Sequence, residues 1–160
     1  MDSALIKRLP AFLCAAKRHT YAGLDDAASV AAPLLEGSKQ LHYSDRDLAY
    51  RDIYFGLGFF VGQETVAAER RVVWSMSYGG GASANITERD QLLAIYAFLR
   101  QALLAVPEDR PFRGPARFER NNFHYANDCD GDVRDFHGAE HVFLKDVLVY
   151  RLHYNGGLIR

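Results

Sequence analysis

The sequence predicts an α+β fold: internally duplicated α-βββ units form one antiparallel sheet, with two main helices packed on one face. Three observations carry that expectation. The passage from Tyr50 to Gly80, YRDIYFGLGFFVGQETVAAERRVVWSMSYGG, returns from Tyr125 to Gly156 as YANDCDGDVRDFHGAEHVFLKDVLVYRLHYNG, with one residue inserted after Gly131. Both passages alternate in the two-residue period of half-buried strands. Each is preceded by a stretch with apolar residues at helical spacing, and elements with one apolar face bury it against each other. In step, Phe60, Gly62, Glu64 and Val66 match Phe136, Gly138, Glu140 and Val142, while Trp74, Met76, Tyr78 and Gly80 match Tyr150, Leu152, Tyr154 and Gly156. A residue present in both copies serves the fold first.

Element by element, Ser3 to His19 sets Leu5, Leu9, Phe12, Leu13 and Ala16 on one helical stripe, with Asp2 or Ser3 placed to cap it. Pro10 interrupts the pattern, so the helix either kinks there or begins there, where proline suits a first turn. From Thr20 to Asp47 the signals are mixed, and a flexible flap is the expectation. Strands follow at Leu48 to Phe55, Phe59 to Ala67 and Val72 to Tyr78, and the glycine run Gly79 to Gly81 reads as a loose exit. Thr87 to Val106 is the clearest helix, with a cap over Thr87 to Asp90 and Pro107 as its stop. Strands recur at Phe123 to Cys129, Val133 to Phe143 and Val147 to Tyr154. The whole, 1–160, reads as one domain with repeats at about 4–80 and 90–157.

A three-residue loop at Glu69-Arg70-Arg71 would set Gly62 opposite Tyr78 and Glu64 opposite Met76, and the same register sets Gly138 opposite Tyr154. An aromatic ring lying over a strand glycine fills the missing side chain, which is a structural explanation of these pairs. The alternative is that the glycines leave room for a ligand. Glu64 and Glu140 share a face with apolar neighbours, and a carboxylate there must be paired, hydrogen-bonded or protonated. Neighbouring tyrosines and Trp74 are the expected donors. Asp52 and Asn127 form a second matched polar pair. Arg113, held in Arg110-Pro-Phe-Arg113-Gly-Pro115, either pairs with Glu64 or another strand acid or presents a fork to an anion.

Other motifs lose force against the repeat. His137 to His141 spells H-x-x-E-H, which requires a helix to bind zinc. The aligned segment is a strand, where the histidines stand ~13 Å apart on the face away from Glu140, so no metal is expected. Asp128 to Asp132 lacks the outer acids of a calcium loop and reads as an acidic turn. Gly79 to Gly81 lacks the lysine of a phosphate loop. No cofactor motif stands in the sequence.

Nineteen basic and twenty acidic side chains in 160 residues leave no electrostatic footprint for nucleic acid. No apolar run approaches the ~20 residues of a membrane span. The start resembles a signal peptide only faintly, its short apolar run being closed by Lys17, Arg18 and His19. Cys14 and Cys129 lie in unlike settings, which favours reduced thiols and a cytoplasmic location.

Ala16-Lys17 with Thr20-Tyr21-Ala22, then YRDIYFGLGFFVGQE, WSMSYGG, FRGP and YNGGLIR, resemble a bacterial family of unknown function, found as single-domain proteins and behind XRE-type helix-turn-helix domains. The resemblance spans nearly the whole chain. It implies an effector-sensing or partner-binding module, here with no DNA-reading domain expected before Leu5. The first expectation is therefore a small-molecule-binding domain whose pocket is lined by Tyr50, Asp52, Tyr54, Glu64, Trp74 and Tyr78, with Arg113 near it. The alternatives are an enzyme using Glu64 as general acid or base while Arg113 holds an anionic substrate, and a homodimer formed through a sheet edge.

Overall fold

The structure is a computed structural model that describes residues 3–22 and 29–160. Helix α1 spans Ser3–His19, so it begins a full seven residues before Pro10 rather than at it. Four strands follow, β1 at Lys39–Asp45, β2 at Leu48–Gly56, β3 at Phe59–Ala68 and β4 at Arg71–Ala82. The second half repeats the order: α2 at Arg89–Leu104, then β5 at Arg117–Arg120, β6 at Phe123–Asp132, β7 at Asp135–Leu144 and β8 at Val147–Leu158. The eight strands among the described residues form one antiparallel sheet in the order β1-β2-β3-β4-β8-β7-β6-β5. Two four-strand meanders thus meet at the β4–β8 seam, where Tyr78 faces Tyr154.

Both helices cover the face that carries the matched residues. Leu9, Leu13 and Ala16 of α1 and Ile95, Leu99 and Ala102 of α2 are fully buried, as are Val66, Trp74 and Met76 beside Val142, Tyr150 and Leu152. Fully burying a side chain of leucine size contributes about 1.5–3 kcal/mol, so these facing stripes supply the main cohesion of the two layers.

The registers set Gly62 against Tyr78, Glu64 against Met76 and Gly138 against Tyr154. They arise by another route than a three-residue loop. Glu69 and Arg70 both have positive φ (49° and 68°), the signature of a two-residue turn whose twist suits a hairpin, and a bulge at Val66/Ala67 restores the register beyond it. Lys145 and Asp146 (49° and 66°) repeat this, with a bulge at Val142/Phe143. A Cβ on Gly62 would lie 2.4 Å from the Tyr78 hydroxyl, and one on Gly138 2.4 Å from that of Tyr154, so each ring lies over its glycine.

Three further expectations are corrected. The segment Thr20 to Asp47, read as a flap, contains edge strand β1; residues 23–28 lie outside the described residues. Strand β5 is its short counterpart. Gly79 to Gly81 is not a loose exit but part of β4, hydrogen-bonded between β3 and β8. There a Cβ on Gly80 would meet the Arg151 carbonyl at 2.2 Å, and one on Gly81 the Gly58 carbonyl at 2.2 Å. Helix α2 starts at Arg89 behind an extended Glu88 that makes no side-chain cap bond, so the cap expected over Thr87 to Asp90 does not form.

Candidate functional site

Alternation along β2 turns Tyr50, Asp52 and Tyr54 toward the helices, and the cross-strand register brings Glu64 of β3 directly opposite Asp52. Tyr78 of β4 completes the floor. Above it the helices do not close: a cavity of about 470 Å³ remains, walled by Tyr21, Phe60, Leu92, Tyr96 and Leu103, with Lys39, Arg89 and Arg100 at the rim. Lys17, one turn beyond Leu13 on the apolar stripe of α1, reaches down to pair with Glu64. Its ammonium stands 6.0 Å from the centroid of the Tyr50 ring.

The floor is buried, with Asp52 3 % and Glu64 2 % exposed. Asp52 accepts a hydrogen bond of 2.6 Å from the Tyr78 hydroxyl. Burial first, and the Glu64 charge second, push the Asp52 carboxyl up to about 7, against the opposing pull of that hydrogen bond and of Lys17 and Arg113. Burial and the same two carboxylates raise the Tyr50 and Tyr78 hydroxyls well above the usual tyrosine range, so both stay hydrogen-bond donors.

The matching place in the second half is filled. Arg113 donates to Oε1 of Glu140 through Nε at 3.1 Å and Nη2 at 2.7 Å. Tyr150 donates to the same oxygen at 2.9 Å and Tyr125 to Oε2 at 2.7 Å. Although burial alone would lower it, the adjoining Glu140 charge holds the Arg113 pKa well above its ordinary value. Phe112 stacks on Phe136 with centroids 3.8 Å apart. The Gly114 amide donates to the Tyr125 hydroxyl at 3.0 Å, and the Asn127 side-chain amide donates to the Gly114 carbonyl at 3.0 Å. The Phe112-Arg113-Gly114 loop is therefore a plug seated on the second meander.

Of the residues singled out in the sequence, Tyr50, Asp52, Tyr54, Glu64, Tyr78 and Arg113 come together around the cavity. Trp74 does not line it; fully buried, it stacks on Phe136 at 5.7 Å, and its indole N–H has no hydrogen-bond partner among the described residues. Arg113 reaches the cavity wall with its guanidinium 5.5 Å from the Tyr78 ring centroid, while its hydrogen bonds go to Glu140. Lys17 and the α2 residues escaped the sequence reading. The signal for Lys17 was a lone cation inside an apolar helical stripe.

On β7, Glu140 is fully buried while His137 is exposed and His141 half-buried, the two histidines on the outer face. Cys14 and Cys129 are free thiols. No helix among the described residues is long and apolar enough to cross a membrane.

No curated protein and no solved structure matches the chain. A family model matches residues 52–159, a region that begins at Asp52 and includes Glu64, Arg113 and the whole second half but not α1. On that match the chain belongs to the family described as Domain of unknown function (DUF5680).

Proposed function

We propose that this is a small-molecule-binding or sensing domain of the bacterial cytoplasm, with its ligand site in the cavity above Asp52. One observation carries the reading: of two matched half-domains, one has its carboxylate face plugged by its own loop and the other keeps it open. A cavity of about 470 Å³ falls within the size range of small-molecule sites. Mainly apolar walls over a few convergent polar groups suit such a ligand. The resemblance to domains that stand behind XRE-type helix-turn-helix modules agrees with an effector-sensing role. Nucleic acid and membranes are not among the partners proposed.

A metabolite panel screened by thermal unfolding tests this reading, because a ligand that binds only the folded state raises the midpoint. We expect at least one compound to shift it by several degrees. Indifference to a broad panel would count against the site.

The enzyme alternative built on Glu64 and Arg113 has less support, since Lys17 occupies Glu64 and Glu140 occupies Arg113. The homodimer alternative is favoured by one feature, the exposed apolar residues Phe55, Leu57, Phe59 and Val61 around the β2–β3 turn. Light scattering decides it.

A further inference from the structure

We infer that the cavity takes an elongated amphipathic ligand with an amino group, or another strong N–H donor, at its inner end and an acid group at its mouth. The inference rests on the cavity being a ligand site. It starts from the charges on the floor. Lys17 pairs with Glu64 and Arg113 with Glu140, which leaves Asp52, among the described residues, as the buried carboxylate with no ion pair of its own. Its Oδ1 takes the Tyr78 hydroxyl, and its Oδ2 has no hydrogen-bond partner among the described residues. An ionised carboxylate in that setting is satisfied by a cation or a donor brought from outside.

The plugged half shows what such a position holds when filled. There Asn127, the counterpart of Asp52, takes the same tyrosine bond on its oxygen and gives its amide N–H to a carbonyl, that of Gly114. Exchanging the amide for a carboxylate turns the second contact from donor into acceptor. With Asp52 ionised, what fills the open half must accordingly present a donor where the plug presents an acceptor.

The mouth has the opposite character. Lys39, Arg89 and Arg100 line it, and none of them is ion-paired among the described residues. Arg89 and Arg100 are three helical turns apart on α2, and that spacing returns them to one face, roughly 16 Å apart along the axis. Between floor and rim the wall is Leu92, Tyr96, Phe60 and Leu103. A donor at one end, an apolar middle and an anion at the other match the three zones in order.

Isothermal titration at pH 8 with four matched probes, 8-aminooctanoic acid, octylamine, octanoic acid and 1-octanol, tests the inference. We expect the amino acid to bind tightest and both amines to exceed octanol by tenfold or more. Asp52→Asn, which places in this half the residue the other half already uses, should erase the amine advantage while octanol binding persists. Arg100→Gln should weaken only the two acids. The groups facing Asp52 are Glu64 from β3, Tyr78 from β4, Lys17 from α1 and Arg113 from the plug. As pH falls from 8 to 6 and Asp52 gains its proton, the amine advantage should shrink. Octanol or octanoate binding as well as the amines would overturn the ligand class and leave the cavity as a site. Failure of all four probes to bind would overturn both.

Discussion

Asp52 and Asn127 stand at the same place in the two meanders and each accepts a hydrogen bond from the matched tyrosine, Tyr78 at 2.6 Å and Tyr154 at 2.7 Å. The pair is a built-in comparison between a buried carboxylate and its neutral isostere. In the folded protein the carboxyl of Asp52 titrates near 7 rather than at its ordinary 3.8. Between those values the folded chain keeps a proton that the unfolded chain has released. Stability therefore falls as pH rises through that window, and the penalty is complete above it.

Asp52→Asn should remove that penalty. At pH 8 we expect a gain of about 1–3 kcal/mol, less than the full linkage because the new amide N–H₂ needs a partner of its own. Urea unfolding at pH 8, 6 and 4 checks the sign: the gain should shrink steadily and vanish near pH 4.

Arg113→Ala should cost about 3–5 kcal/mol by stranding the Glu140 carboxylate, 0 % exposed, in the core. Adding Glu140→Gln should recover a good part of that loss, since the remaining donors, Tyr125 and Tyr150, can still serve a neutral amide. Denaturant midpoints of the two variants measure the difference.

Gly62→Ala and Gly138→Ala should each destabilise by roughly 2–3 kcal/mol, because the new methyl drives the tyrosine ring off its carboxylate or amide acceptor. Gly79→Ala is the control. Its Cβ would meet only the tip of Val61, at 3.1 Å, and thermal unfolding should register a much smaller loss.

Arg70→Gly and Asp146→Gly should each stabilise by up to ~1 kcal/mol, since both residues hold a positive φ that costs an L side chain about that much. Equal gains at the two turns would show that they are equivalent, and calorimetry resolves shifts of this size.

Six strands and both helices were legible because each has a period that burial enforces. Strands β1 and β5 were not. KQLHYSD offers only Leu41 and Tyr43 to the core, and RFER only Phe118, because an edge strand beneath a helix end packs little of itself. The floor of the site was legible from register alone: pairing β2 with β3 and β3 with β4 fixes which side Asp52, Glu64 and Tyr78 share. Trp74 obeys the same alternation yet lies under Phe136, a contact from across the seam that alternation within one meander does not reveal. The cavity walls were illegible for a related reason. A helical stripe says which face of α2 is buried, and it does not say how far Leu92 and Tyr96 stand off the sheet.

The most direct measurement is ligand-observed NMR of a fragment set against the wild type and Leu92→Trp, whose indole would occupy the cavity. Saturation transfer to fragments that is present in the wild type and lost in the variant is the expected result. Fragments that fail to bind the wild type, or bind both proteins alike, would contradict a ligand site above Asp52.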